Sequence, residues 1–405
     1  MHRGVATFTL DHGKAPRWLF WRMVKLARAV VPVIVDQYGP EEFVKRMADP
    51  VWFQSLGCVL AFDWNASGLT TTVTGALKEA IRGQEKDLGL FVCGGKGRTS
   101  RKTPDQIKSW GEALNFSPTL TDNMVYNSKM TAKVDSSLIQ DDFQLYHHCF
   151  FFSTNQEGKL SAWSVVQQGM DIEAKSARRY HWYSRKISDL IVDPHAGIIS
   201  DPLQQHKDIL NLTAKKSADN RQLSLELASS PQTLFKDFKI LAKHTSSLSQ
   251  MIKLKSKKGD QLTFLKLAPK EFKSHKVLLE DFSQSAYLKK IFNILSEKKP
   301  QDYENLLSEK GVGPKTIRAL SLVSEVIYGA KASYEDPARY TFAHGGKDGT
   351  PYFVDRTTYG QTMKAAEMLQ KAVRQAKIEP NEKQKALLRL EKRKNISLDV
   401  ENLYC

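Results

Sequence analysis

The sequence predicts an α+β protein with a helical N-terminal region, a central antiparallel β-hairpin and sheet region, and a helical C-terminal region. Three observations carry this. Apolar residues recur at helical spacing over residues 15–48, the period changes to two between residues 138 and 170, and helical patterning returns after about residue 205. A chain of 405 residues has room for about two or three domains, and 41% apolar residues are enough for real cores.

Residues 15–48 read as two helices. Gly39 ends the first, Pro40 opens the second, and Glu41 and Glu42 complement its dipole. The stretch "WLFWRMVKLARAVVPVIV" carries Arg22, Lys25 and Arg28, so it is an amphipathic helix, too charged and too short to cross a bilayer. "DPVWFQSLGCVLAFDW" (49–64) is dense core, and residues 67–74 read as the N-terminal cap region of a helix. "LGLFVC" (88–93) reads as a buried strand. The loop "CGGKGRTS" (93–100) follows it, with Gly95 and Lys96 placed to cradle an anion before a helix at Thr103 and Pro104. "LIQDDFQLYHHCFFF" and "LSAWSVVQQGM" alternate around the polar turn "STNQEGK" and predict a β-hairpin. Residues 171–200 look irregular, rich in aromatic and basic groups. Residues 231–300 hold 15 Lys against 6 Asp and Glu, and the tail from about 375 reads as a charged helix. The organisation expected is an α+β unit over 1–205, a lysine-rich helical region over 206–300, a DNA-binding region over 301–375 and a charged helical tail over 376–405.

The formal charge is +16, from 60 basic and 44 acidic residues, which favours a polyanionic partner, nucleic acid before membrane. Cys58, Cys93, Cys149 and Cys405 have neither zinc-ribbon nor disulfide-scaffold spacing, which fits a reducing compartment. With no signal peptide evident, the expectation is a cytoplasmic protein. There is no Walker loop and no dinucleotide fingerprint, so no nucleotide cofactor is expected.

"SEKGVGPKTIRALSLVSEVIYG" (308–329) reads as a helix, a glycine turn and a second helix, in which Ile317, Leu320, Val323, Ser324 and Ile327 recur at helical spacing. Gly311 and Gly313 allow positive φ or close approach, and Pro314 suits a first helical turn. Exposed amides at that helix start suit a phosphate, to which Lys315 adds charge and Thr316 a hydroxyl. The stretch resembles the helix-hairpin-helix motif. That resemblance implies sequence-independent contact with DNA phosphates through Gly311, Val312, Gly313, Lys315 and Thr316.

In the hairpin, strict alternation puts Gln144, Tyr146 and His148 on one polar face and Leu145, His147 and Cys149 on the other, with Gln167 or Gln168 joining His148 according to register. "ARRYHW" adds Arg178, Arg179 and His181, and "DPHAG" adds Asp193 and His195. Histidine, arginine and carboxylate are the groups that move a proton and stabilise a phosphorane-like transition state. The candidate catalytic set is therefore His148, His181, His195, Arg178, Arg179 and Gln167. Asp142, His148 and Asp193 are the candidate ligands for a divalent Mg or Mn ion. Asp142 with Glu173 and Lys175 superficially matches a restriction-type metal nuclease, but Glu173 lies beyond the apolar strand.

Taken together, "DHGKAPRWLFWRM", "DPVWFQSLGCVLAFDW", "ASGLTTTVTGALKE", "QLYHHCFFF", "WSVVQQGM", "ARRYHW", "DPHAG", "GVGPKTIRAL" and "FAHGGKDGTPYFVDR" resemble the archaeal and bacterial family called domain of unknown function 763, across most of residues 1–375. The resemblance implies no catalytic residues. Where its pattern carries histidine and serine, this chain has Asn65 and Ala66. The function expected from the residues is DNA binding, with structure-specific nuclease activity in repair or recombination as the favoured chemistry. The alternatives are a DNA-binding protein without chemistry and a base-excision glycosylase or lyase using Lys315 and Asp336. An RNA-processing role also fits the residues.

Overall fold

Valine, phenylalanine and tryptophan dominate the middle of the chain, and they pair there into one antiparallel sheet. Its strands are β1 (Leu90–Lys96), β3 (Gln144–Thr154), β4 (Leu160–Asp171), β5 (Ser176–Tyr183) and β6 (His195–Ile199), hydrogen-bonded in that order. A separate short pair joins β2 (Ile139–Gln140) to β7 (Leu210–Asn211). The computed structural model describes residues 15–60, 67–200, 209–244, 252–253, 264–265, 282–339 and 367–401.

The hairpin of β3 and β4 is where period two predicts it, closed by Asn155, whose side chain accepts from the amides of Glu157 and Lys159. The strict alternation does not hold, however. A bulge at Tyr146 separates the pair Leu145–Gly169 from the pair His147–Gln168. One extra residue reverses the facing of everything before it. Leu145 therefore packs beside Tyr180 and Ile198, away from Cys149. Residues 171–200, expected to be irregular, contain β5 and β6.

Helices cover both faces of the sheet. α1 (Arg17–Tyr38), α2 (Pro40–Met47), α3 (Pro50–Val59) and α4 (Ser67–Ile81) bury one face against Cys149, Phe151, Val166 and Tyr183. The buried stripe of α1, Met23, Ala27, Val30 and Ile34, is the helical pattern read from the sequence. α3 starts at Asp49, whose carboxylate accepts from the Val51 and Trp52 amides at 2.9 and 3.2 Å. The helix Pro380–Glu401 returns to this layer: Arg22 pairs with Glu382 at 2.8 Å and Arg389 donates to the Val59 carbonyl at 3.2 Å.

α5 (Glu85–Leu88) leads into β1, and the opposite face, with Phe150, Phe152, Val165 and Trp182, packs on α6 (Thr103–Ala113), α7 (Pro118–Ser137), α8 (Ala218–Ala228), α9 (Pro231–His244) and the helices Ala286–Lys298, Tyr303–Ser308 and Pro314–Val326. The protein is thus α+β, a sheet between two helical layers with helices at both ends. Among the described residues no helix is long and apolar enough to cross a membrane.

Candidate functional site

The strand β5 reads Ser-Ala-Arg-Arg-Tyr-His-Trp-Tyr, and every one of these residues is buried. A strand sends successive side chains to opposite faces, so Arg178, Tyr180 and Trp182 meet one helical layer while Arg179 and His181 meet the other. The candidate catalytic residues are divided accordingly.

On the face covered by α3 and α4, Arg179 donates to His181 Nε2 at 2.9 Å, Thr70 Oγ1 at 3.2 Å and Gln54 Oε1 at 3.1 Å, and lies 4.6 Å from the Phe53 ring centre. His181 Nδ1 lies 2.9 Å from the Met47 carbonyl and must donate to it, which leaves Nε2 free to accept from Arg179. Burial and the neighbouring guanidinium push the His181 pKa well down, so its ring is neutral. Burial also lowers Arg179, to about 9. Gln168 binds Thr70, Tyr146 and the Ser67 carbonyl on this side.

The other face carries two networks. In the first, Arg178 donates to Asp141 at 2.9 Å and Asp336 at 2.7 Å, and Tyr180 donates to the same Asp141 oxygen at 2.7 Å. Burial pushes Asp141 up to about 6 against the pull of Arg178. Burial also works against the Arg178 charge, but Asp141 and Asp336 outweigh it and raise its pKa. In the second, Asp135 of α7 sits fully buried at the centre. It accepts from Gln167 Nε2 at 2.6 Å, Trp182 Nε1 at 3.0 Å and His195 Nε2 at 2.5 Å. Gln167 Oε1 lies 2.9 Å from His148 Nδ1, and His148 Nε2 lies 2.8 Å from Ser128 Oγ. Burial lowers His148 to about 4, with the Gln167 contact opposing it. His148, expected on an open polar face, is buried, as is His147. Of the three histidines, His148 and His195 join one network and His181 lies across the sheet.

His195 is where the second network meets solvent. Its side chain is 7% exposed and lines a cavity of about 530 Å³ with Asp193, Asn211, Lys215, Lys216, Glu335 and Arg339. The ring packs edge-on to Trp182 at 4.5 Å. Nε2 is engaged by Asp135, and no described residue hydrogen-bonds Nδ1, so the geometry is that of a carboxylate-oriented imidazole with its basic nitrogen toward the cavity. The opposite wall is held by Arg221, which donates to the Leu212 and Ala214 carbonyls at 2.7 and 2.8 Å, just before Lys215. Asp193 fixes the near wall through its amide on the Thr213 carbonyl at 2.9 Å.

The glycine turn lies beside a second cleft, of about 380 Å³, lined by Gln140, Asp141, Asp142, Pro314, Lys315 and Arg318. Helices Tyr303–Ser308 and Pro314–Val326 flank it as the sequence predicts, and Lys133 braces the turn through the Leu307 and Glu309 carbonyls. Gly311 has φ +92°, and a Cβ there would strike Ile291, whereas Gly313 is extended with open space beside it. The need for glycine therefore falls on Gly311. Thr316 is fully buried and Val312 nearly so, which removes the Thr316 hydroxyl from any surface contact, while Lys315 is exposed. Arg178 stands between the two clefts, because Asp141 lines one and Asp336 the other. Lys315 lines one of these clefts and Asp336 the other.

Gly95 and Lys96 are not in a loop. They continue β1, paired with His148 and His147, and the Gly94 amide donates to Gln106 at 2.8 Å. Lys96 is exposed at the strand end, 5.9 Å from the Tyr146 ring centre. Among the described residues no three of His, Cys, Asp and Glu gather as a metal-ligand group, so Asp142, His148 and Asp193 do not converge.

Sequence reasoning missed Asp135, Asp141 and the cavity cations Lys215, Lys216 and Arg339. One signal was available for Asp135: it continues the buried helical stripe Met124, Ser128, Thr131, where a carboxylate is out of place unless partnered.

No curated protein and no solved structure matches the chain. A family model described as "Protein of unknown function (DUF763)" matches residues 4–354, which is most of the chain and agrees with the motifs quoted above. The chain belongs to the DUF763 family.

Proposed function

We propose that this protein binds DNA through backbone phosphates and hydrolyses phosphodiester bonds in the His195 cavity. The observation that supports the reading is the Asp135–His195 pair, which leaves one imidazole nitrogen facing a cavity with Lys215, Lys216 and Arg339 in its wall. In this scheme His195 Nδ1 takes a proton from water as the water oxygen attacks phosphorus. The P–O bond to the leaving strand breaks, the departing alkoxide takes up a proton from solvent, and the His195 imidazolium releases its Nδ1 proton to solvent to complete the cycle. The lysines and Arg339 face the charge that grows on the phosphoryl oxygens. The neighbouring cleft with Lys315 holds the adjoining backbone, and the chain's +16 charge supplies general affinity.

The test is cleavage of labelled flap, splayed and gapped DNA, with and without Mg²⁺ or Mn²⁺. Wild type cuts at least one substrate, and His195→Gln loses about 10²–10⁴-fold in rate while still binding. Lys315→Ala lowers the slope of log affinity against log salt by about 1 and weakens all sequences alike. No product on any substrate sinks the hydrolase reading and leaves a binding protein. An unchanged salt slope removes the glycine turn from the DNA interface.

A further inference from the structure

His195 is tied to a row of buried side chains that runs from the cavity between one face of the sheet and α7. We infer that Gln167 and His148 are positioning residues for His195, which through Asp135 hold its imidazole with the proton on Nε2 and the lone pair of Nδ1 toward the cavity. The inference rests on the reading of His195 as the base, and it concerns two residues that touch no substrate.

The direction of every bond in the row follows from one fact: an ionised carboxylate only accepts. Gln167 Nε2, 2.6 Å from Asp135 Oδ2, therefore donates. The amide then has only its oxygen left for His148, so His148 Nδ1, 2.9 Å away, carries the proton. His148 Nε2 is left with a lone pair, and Ser128 donates to it at 2.8 Å. Turning any one link around leaves two like atoms facing each other inside the core, at a cost of about 1–3 kcal/mol for each unmade bond. Burial keeps His148 neutral down to about pH 4, so the row keeps its direction at neutral pH.

At the other end, burial raises the Asp135 pKa above the ordinary carboxylate value, with His195 and Trp182 acting against it. Trp182 Nε1 is a fixed donor on Oδ2, and Gln167 is the second donor on the same oxygen. Removing Gln167, or the His148 proton that sets its orientation, favours a protonated Asp135. A protonated Asp135 donates to His195 Nε2 and drives the ring proton to Nδ1, where it blocks the cavity-facing lone pair. The other groups around His195 are the Tyr180 and Trp182 rings on β5, and Asp193, Lys215, Lys216, Glu335, Asp336 and Arg339 on the cavity wall; none is altered by the substitutions below.

The experiment is ¹⁵N NMR of the histidine rings in the full chain, with His195 assigned from His195→Gln. Wild type shows the Nε2–H tautomer of His195 at neutral pH. Gln167→Leu and His148→Leu shift it toward Nδ1–H, because an Asp135 that has lost a donor favours the protonated carboxyl, which donates to Nε2. His148→Gln, whose amide can donate to Gln167 in place of Nδ1–H, keeps the wild-type tautomer. Near-UV circular dichroism selects folded variants, and if Gln167→Leu does not fold, the two His148 variants carry the comparison. A His195 tautomer that stays at the wild-type Nε2–H form in folded His148→Leu overturns the inference. A shifted tautomer in a protein that cuts no DNA upholds the positioning chain and defeats the hydrolase reading separately.

Discussion

Arg178 and Arg179 are neighbours in sequence, both fully buried, and they do different things. Arg179 meets a histidine, a threonine and a glutamine under α3 and α4, and these three bonds lie inside the core. Arg178 meets two aspartates, and each of them lines a cleft. The histidines repeat the contrast. His181 is pinned at both nitrogens in the closed layer, while His195 is pinned at Nε2 and opens on a cavity. The same residue types thus build a closed fastening on one face of the sheet and a row that opens on a cavity on the other. What separates them is whether the last group in the row reaches solvent.

The largest expected effect comes from breaking the charged row of the open face. Arg178→Leu leaves Asp141 and Asp336 without their cation and costs about 3–5 kcal/mol in denaturant unfolding. Replacing Arg178, Asp141 and Asp336 together by apolar residues restores much of that. If the single substitution is silent, the triad does not hold the two clefts together.

Acid tests both faces at once. Burial holds His147 and His148 neutral, pushed down to about 3 and about 4 in the fold. The unfolded value is about 6.5, so below it the unfolded chain binds more protons than the native one. The stability is complete above about pH 6.5 and is lost as the pH falls toward 4. Going from pH 7 to 5 removes on the order of 2 kcal/mol for each histidine. Urea unfolding at the two pH values checks this, and His148→Gln makes the dependence shallower by one histidine's share. A dependence left unchanged by His148→Gln contradicts neutral burial of His148, since Asp141, raised to about 6, works in the opposite direction in both proteins.

The smallest effect sharpens the comparison. Thr70→Val removes the hydroxyl that donates to Gln168 and accepts from Arg179 at 3.2 Å on the closed face. It costs about 1 kcal/mol of stability and leaves the His195 tautomer and any DNA cleavage unchanged. A shifted tautomer there means that the two faces are coupled through Gln167 and Gln168.

Much of the fold was legible in the sequence because it rests on local rules. Met23, Ala27, Val30 and Ile34 follow the helical repeat of α1. Asn155 and Gly158 mark the hairpin turn. Strand β5 was not legible: its Arg, Tyr and His residues look solvent-facing, and only a helical layer on each side makes "ARRYHW" a buried strand. The bulge was hidden for a related reason. Tyr146 is one extra residue, and whether a strand absorbs it depends on the partner strand across the ladder.

The sequence by itself determined the α+β class, the hairpin, the glycine turn before Pro314, the basic charge and the family. It also named His148, Gln167 and His195 without the atom that joins them. Tertiary structure decided which histidine faces a cavity and which is sealed in, because the deciding partners are distant. Asp135 lies 60 residues from His195 and Asp336 lies 158 residues from Arg178. A buried polar group needs a bonded partner, but the need does not say where along the chain the partner comes from. Local pattern names the residue types; only packing the two helical layers on the sheet chose their partners.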